Sequence, residues 1–275
     1  SWKKGVFMEA VDKKMLLKND FLRKENELYL NFINSGEKIE TNKFMCKTLK
    51  EVNEGCAMIT EWVYQKCIDQ LNKGKKVGLL GGDHSIAFGF IKALAEKHEN
   101  FGILQIDAHC DLRKSYEGLD HSHGSIMYNV LNSFPNVTKL IQLGIRDYCE
   151  AEWNYICDSE YRVITYLERG IRERQFEGTT WAQLSDEIIN QLPQNVYISY
   201  DIDGLDPKLC PHTGTPVPGG FEMEQLSYLF KKILTSGRKI IGFDLSETGT
   251  SKNGWDENVG ARVLFKMCNL MLSDN

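Results

Sequence analysis

The chain has 275 residues, of which 42% are hydrophobic and 26% are charged, a composition typical of a globular protein. The formal net charge of −5 argues against nucleic acid as a partner, and no apolar run is long enough to cross a membrane. The first residues lack the apolar core of a secretory signal, and the 8 cysteines form no CxxC pair. We therefore expect a cytoplasmic protein with reduced thiols.

Hydrophobic patterning predicts alternating helices and strands from residue 51 onward. Apolar residues at helical spacing predict a first helix over 51–71. Short strands without a polar face then alternate with amphipathic helices, which indicates an α/β fold whose parallel sheet is covered on both faces. The predicted strands are 76–80, 101–107, 139–147, 162–166, 195–203 and 239–247, and the later helices are 85–98, 181–192, 222–234 and 257–272.

The pattern is not interrupted by a linker, a repeat or a low-complexity tract, so a single domain over residues 1–275 is expected. Residues 1–45 are the exception to the regular alternation. They are highly charged, and they contain only one weak helical pattern near their middle.

Polar side chains follow four of the predicted strands, at the sheet edge where ligands of parallel sheets bind. After strand 101–107, acidic and imidazole groups stand at every second position, a spacing that points them to one side of an extended chain. The polar residues at the four strand ends are Asp83 and His84, then Asp107, His109 and Asp111, then Asp201 and Asp203, and finally Glu247.

Four aspartates brought together at neutral pH would repel one another unless protons or cations neutralised them. Two histidines among them favour metal binding over simple proton sharing. Oxygen and imidazole ligands without thiolate favour manganese, with iron or cobalt as further options. Asp83 is interpreted as a local cap rather than a ligand. The predicted ligands of a two-metal site are His84, Asp107, His109, Asp111, Asp201 and Asp203.

Four motifs, in this order, resemble the signature blocks of the ureohydrolase family, which includes arginase and agmatinase. They are GGDHS (81–85), DAHCD (107–111), SYDIDGLDP (199–207) and GTPVPGG (214–220). The resemblance covers roughly residues 75 to 270. It implies a three-layer α/β/α fold with a mostly parallel sheet of about eight strands. It also implies two Mn²⁺ ions, hydrolysis of a guanidine C–N bond with release of urea, and a homo-oligomer, either a trimer or a hexamer.

The resemblance also implies roles for single residues. His84, Asp107, Asp111 and Asp201 would hold one ion, and Asp107, His109, Asp201 and Asp203 the other, so that Asp107 and Asp201 bridge the two. His123 would pass a proton to the leaving amine, with His121 as its rival or as a substrate contact. Glu247 would bind the planar guanidinium through two hydrogen bonds.

Arg113 bears on which guanidine is cleaved, because arginase-like chains carry an Asn at this position. An arginine could bind a substrate carboxylate, as formimidoylglutamate or guanidinobutyrate would offer. Alternatively, Arg113 has a structural role beside a nearby acid. Since residues 112–124 most resemble the agmatinase branch, conversion of agmatine to putrescine and urea is the leading prediction. Arginase, guanidinobutyrase and formimidoylglutamase activities are the alternatives.

Family members normally begin with a strand and a glycine-rich loop, and this unit is not found in residues 1–45. A non-catalytic metal-binding protein of the same fold is therefore a competing hypothesis, although no predicted ligand is missing. A hydrolase with a single zinc is another, in which His84 and Asp111 would have no role.

Overall fold

The computed structural model describes residues 5–273, in which two long helices precede an alternation of strands and helices. The strands are β1 (Gly78–Leu80), β2 (Phe101–Ile106), β3 (Val137–Ile145), β4 (Val163–Leu167), β5 (Asn195–Asp201) and β6 (Lys239–Ser246). The helices are α1 (Lys13–Asn34), α2 (Lys43–Asn72), α3 (Ala87–Lys97), α4 (Ile126–Ser133), α5 (Glu150–Asp158), α6 (Glu168–Phe176), α7 (Trp181–Gln191), α8 (Met223–Thr235) and α9 (Trp255–Ser273). None of them is long and apolar enough to span a membrane.

The strands form one parallel sheet in the order β1-β6-β5-β2-β3-β4. Because parallel strands are apolar on both faces, such a sheet needs helices on each side, and every residue of β2 is buried. Helices α2 to α5 pack on one face, and α6 to α9 pack on the other, each set enclosing its own hydrophobic core. The three-layer α/β/α architecture is confirmed.

The sheet has six strands in the described chain rather than the expected eight or so. All six strands predicted from the hydrophobic pattern are present, but the residues before β1 fold into helices. Asp12 accepts hydrogen bonds from the amides of Lys14 and Met15 at the start of α1, and Asn42 caps α2 in the same way. No proline interrupts either helix. Strong caps and uninterrupted helical sequence therefore account for the two helices, and residues 5–77 form no strand.

The four strands that polar residues follow are neighbours in the sheet, in the order β1-β6-β5-β2. Since all four run in the same direction, their carboxyl ends meet at one edge. The strand order thus brings together the polar groups that lie far apart in the sequence.

Gly89 lets α3, the helix that follows the loop carrying His84, pack closely on α2. A Cβ atom at this position would lie 2.4 Å from the carbonyl oxygen of Thr60 and 2.9 Å from the amide nitrogen of Tyr64. The backbones of the two helices therefore touch where any larger residue would separate them. This contact joins the N-terminal helices to the element that supports one end of the polar cluster.

We expect Gly89→Ala to lower the free energy of unfolding by about 1 to 3 kcal/mol, because the added methyl group overlaps the α2 backbone. The matched control is Gly170→Ala in α6, where a Cβ would meet nothing within 4 Å. It should be neutral or stabilising by up to about 1 kcal/mol, since alanine is the better helix former. Urea unfolding followed by circular dichroism measures both. Equal effects at the two positions would contradict the packing of α2 on α3.

Candidate active site

The six predicted ligand side chains converge at the carboxyl ends of β1, β5 and β2, at one edge of the sheet. His84 lies at the centre of one half, with its Nδ1 atom 2.9 Å from Oδ2 of Asp111 and 3.5 Å from Oδ2 of Asp201. Five of the six residues are at most 4% exposed, and His109 is partly exposed. The structure therefore brings together all the residues that the spacing of the motifs selected.

Asp107 lies between the two histidines. Its Oδ2 atom is 3.3 Å from Nδ1 of His84, and its Oδ1 atom is 3.5 Å from Nδ1 of His109. Nδ1 of His109 is also 3.0 Å from Oδ2 of Asp203. Two sets of potential metal ligands follow from these distances, one of His84, Asp107 and Asp111 and the other of Asp107, His109 and Asp203. They share a single carboxylate.

The cluster holds more negative than positive charge. Within residues 5–273, its four carboxylates form ion pairs only with the two histidines. Burial, together with the charges of Asp203 and Asp107, raises the pKa of Asp201 well above its usual value. Burial and the charge of Asp107 raise the pKa of Asp111 to about 7. Divalent cations would remove this repulsion, so the donor set fits two such ions.

The pKa values of the two histidines and of Asp107 are shifted in the directions that favour their charged forms. Burial opposes the protonation of His109, but hydrogen bonds with Asp107 and Asp203 outweigh it and raise the pKa of His109 to about 11. Burial likewise acts against the ionised form of Asp107, whereas hydrogen bonds from both histidines hold its pKa well below the usual range. Without metal, protons on the imidazoles take the place of cations, and a metal would have to displace them.

Backbone amides hold the carboxylates in place. The His109 amide donates to Asp107 Oδ1 at 2.7 Å, and the Ala108 amide donates to Asp203 Oδ1 at 2.9 Å.

Asp111 and Glu247 have φ angles of 55° and 61°, a left-handed conformation that costs free energy in residues other than glycine. Two of the candidate functional residues therefore occupy strained positions that the surrounding structure maintains.

A cavity of about 240 Å³ opens above the cluster. Its lining consists of His109, Asp111, His123, Asp201, Asp203, Gly214, Thr215 and Glu247. Glu247 contributes a carboxylate whose Oε1 atom accepts a hydrogen bond of 2.8 Å from the His84 amide. Burial and the charge of Asp83 raise the pKa of Glu247 to about 7. A cationic ligand in the cavity would favour its ionised form.

His123 has a partner that the sequence did not reveal. Its Nδ1 atom lies 3.2 Å from Oδ2 of Asp83, and this hydrogen bond raises the pKa of His123 to about 9. Asp83 also accepts a hydrogen bond from the Ser85 amide, as a local cap would. The capping interpretation was therefore incomplete. The GGDHS motif was the available signal, but it does not indicate which distant side chain Asp83 meets.

The two candidate substrate contacts lie elsewhere. The Arg113 guanidinium carbon is 4.8 Å from the centre of the Tyr116 ring, and its Nε atom is 3.7 Å from Oε2 of Glu152. The His121 ring packs against Phe88, with 5.6 Å between their centres. Neither Arg113 nor His121 is among the residues that line the cavity. Their roles in substrate binding stay predictions.

Two further residues, Ser199 and Asp244, lie behind His84 and could not be identified from the sequence. Its Nε2 atom is 2.8 Å from Oγ of Ser199 and 3.7 Å from Oδ1 of Asp244. With Nδ1 facing the carboxylates, these contacts orient the ring from the opposite side, as is usual for histidines that bind metals. Both residues lie inside strands, where a polar residue gives no sign of what it contacts.

Comparison with known proteins places these features in a family context. A sequence model of the arginase family matches residues 27–268. The N(1)-aminopropylagmatine ureohydrolase of Thermus thermophilus is 31% identical over 74% of this chain and 65% of its own length. The mitochondrial agmatinase of Gallus gallus is 32% identical over 80% of this chain and 62% of its own length. The chain thus spans just under two thirds of these relatives.

Solved structures share the fold. The agmatine ureohydrolase of Thermoplasma volcanium has a TM-score of 0.66 at 24% identity, covering 78% of this chain and 69% of that one. The proclavaminate amidinohydrolase of Streptomyces clavuligerus has a TM-score of 0.67 at 22% identity, covering 78% of this chain and 71% of that one. At these identities the likeness shows a common architecture only.

We expect the free energy of unfolding of the metal-free protein to fall as the pH rises from about 5 to about 9. The raised pKa of His123 gives stability that is complete below its ordinary value of 6.5 and is lost as the pH rises through about 9. The raised pKa of Glu247 also lowers the stability as the pH rises, but at lower pH. Between its ordinary value of 4.5 and about 7, its carboxyl is ionised in the unfolded chain and still protonated in the folded one.

Chemical denaturation in the presence of a chelator, at a series of pH values, measures this dependence. The variant His123→Asn should show a shallower decrease between about pH 7 and 9, where the raised pKa of His109 still contributes, and keep the part below it. Stability that is constant or rises over the whole range in the unmodified protein would contradict the assigned proton positions.

Proposed function

The chain belongs to the arginase family, and from that premise we propose that it is a binuclear manganese hydrolase that releases urea from a guanidine. The position of Asp107 carries the proposal. One of its oxygens lies 3.3 Å from Nδ1 of His84 and the other 3.5 Å from Nδ1 of His109. Two ligand sets that share a carboxylate would hold two divalent ions in neighbouring positions.

The proposed ligands fall into two overlapping groups. His84, Asp107, Asp111 and Asp201 would hold one ion, and Asp107, His109, Asp201 and Asp203 the other. When bound, the ions would supply an activated water and withdraw charge from the guanidine. The absence of cysteine from the described ligand sets supports manganese over zinc.

Glu247 and His123 would act on the substrate itself. Oε1 of Glu247 is engaged by the His84 amide, whereas Oε2 lies on the side of Gly214, a residue that lines the cavity. A guanidinium group there would donate to Oε2 and be oriented by it. Because Asp83 holds Nδ1 of His123, Nε2 is the atom that would give a proton to the departing amine.

The cavity lining supports a substrate whose far end is positive or neutral. The described lining has three aspartates, one glutamate and two histidines, but no lysine or arginine. A carboxylate at the far end, as in guanidinobutyrate or formimidoylglutamate, would find no lysine or arginine in the described lining, and Arg113 faces Tyr116 and Glu152 instead. We therefore propose agmatine, with an ammonium at its far end, as the substrate, and arginine as the next candidate.

The competing hypotheses differ in what they require of the ligands. A hydrolase with a single zinc would leave His84 and Asp111 without a role, although they lie 2.9 Å apart inside the buried cluster. A non-catalytic metal-binding protein would not need Glu247 and His123 beside the cluster, yet both line the cavity. The geometry favours the two-metal hydrolase over both.

We expect the protein loaded with Mn²⁺ to release urea from agmatine with a kcat/KM about tenfold or more above that for guanidinobutyrate, because the described lining offers no lysine or arginine to a carboxylate at the far end of the substrate. A colorimetric urea assay across agmatine, arginine, guanidinobutyrate and guanidinopropionate, with a formamide assay for the amidine formimidoylglutamate, makes the comparison. Two bound Mn²⁺ ions without urea or formamide from any of these compounds would support the non-catalytic hypothesis instead.

Asp107→Ala should remove metal and activity together, because the Asp107 carboxylate belongs to both ligand sets. We expect fewer than two Mn²⁺ ions per chain by elemental analysis and a loss of kcat/KM of more than about 100-fold. The control is Asp186→Ala in α7, whose carboxylate is 62% exposed and pairs with Lys232, and which should change neither quantity. Retention of both ions by Asp107→Ala would rule out the bridging role.

A further inference from the structure

A row of polar residues crosses the sheet beneath the candidate metal site. In the strand register, Asp244 of β6 is paired with Ser199 of β5, Ser199 with Gln105 of β2, Gln105 with Gln142 of β3, and Gln142 with Thr165 of β4. The first four are completely buried, at positions where the interior of a parallel sheet is normally apolar. We call these five residues the polar row.

The row reaches the site through Gln105. Because Gln105 stands two positions before Asp107, the two side chains share a face of the sheet. The Nε2 atom of Gln105 donates to Oδ2 of Asp107 at 2.7 Å and to the carbonyl oxygen of His109 at 3.2 Å. Both N–H bonds of one buried amide are therefore directed at the loop that carries three of the proposed ligands.

The rest of the row holds Gln105 in this orientation. Nε2 of Gln142 donates to Oε1 of Gln105 at 2.7 Å and to the carbonyl oxygen of Cys110 at 2.7 Å. The Thr165 hydroxyl donates to Oε1 of Gln142 at 2.7 Å. Carbonyl oxygens can only accept, so the nitrogen of each amide must face the loop, and both amide orientations are thereby fixed.

Stability alone does not call for this arrangement. Buried amides cost free energy unless all their hydrogen bonds are made, and a matched set of apolar residues fills the same space without that requirement. The Gln105 and Gln142 amides have all their donors and acceptors paired, and the hydrogen bonds that leave Gln105 end on a carboxylate that is itself part of the charged cluster. Its direction, from Thr165 toward Asp107, points to a role at the site.

We propose that Gln105 is a positioning residue for Asp107 and that Gln142 holds Gln105 in place. The inference rests on the proposed function, in which Asp107 bridges two ions. The hydrogen bond to Oδ2 would fix the rotation of the carboxylate, so that Oδ1 stays directed at the His109 side and Oδ2 at the His84 side. It would also lower the free-energy cost of keeping Asp107 ionised among other carboxylates.

The test compares Gln105→Met, which keeps the size of the side chain and removes the donors, with Asn136→Leu. Nδ2 of Asn136 also donates to two oxygens, the carbonyls of Ala95 and His98, but the residue lies at the opposite end of β3 from the site. Mn²⁺ affinity is measured by titration calorimetry, and thermal unfolding is measured without metal. We expect Gln105→Met to weaken Mn²⁺ binding by about 10- to 100-fold and Asn136→Leu to leave it unchanged.

An unchanged Mn²⁺ affinity in Gln105→Met, with reduced metal-free stability as in Asn136→Leu, would show a structural role only and overturn the inference. If Gln105→Met does not fold, Gln142→Met decides, because it leaves the contact with Asp107 but frees the Gln105 amide. We expect it to weaken binding by about threefold or more, and no change would overturn the inference. If the unmodified protein binds no Mn²⁺, the proposed function fails as well.

Discussion

Repulsion among four buried carboxylates is the constraint on which the architecture of this site depends. Asp107, Asp111, Asp201 and Asp203 lie within one small region at no more than 4% exposure, where water screens their charges poorly. The protein provides partial compensation through backbone amides, two imidazoles and the amide of Gln105. The remaining negative charge makes the cluster a candidate site for cations, and the adjacent strand order β1-β6-β5-β2 is what assembles it.

The core of the fold could be predicted from the sequence because its signals are local. The strand β2 is a short apolar run, and the polar residues that follow it at a spacing of two mark its carboxyl end. The N-terminal region lacks such signals. Leu16 and Leu17 of α1 are at least half exposed, so the apolar residues of this helix do not form the single stripe from which helices are recognised. The resemblance to ureohydrolases was correct, but the strand number that it implied was not.

The residues of the candidate site could be predicted where they belong to sequence motifs. They could not be predicted where a contact depends on two segments that are distant in the sequence. The six proposed ligands stand in recognisable motifs, and all of them converge. Asp83 meets His123 across 40 positions of sequence, and Gln105 meets Gln142 through the register of β2 and β3. A shift of one residue in that register would turn Gln142 to the opposite face. A single segment of sequence does not show which distant segment it will contact. Neither the Asp83–His123 contact nor the Gln105–Gln142 contact could therefore be predicted.

The position of β1 at the end of the sheet bears on whether its backbone could pair with a strand of another chain. An outermost strand exposes backbone groups that can pair with another chain, and Leu80 of β1 is 49% exposed. Within the described residues this strand is only three residues long, preceded by Lys75 and Lys76 and followed by Gly81 and Gly82. Short length, flanking positive charge and flexible glycines all discourage edge-to-edge pairing. Within the described residues, β1 therefore offers only a short stretch of backbone for pairing with another chain.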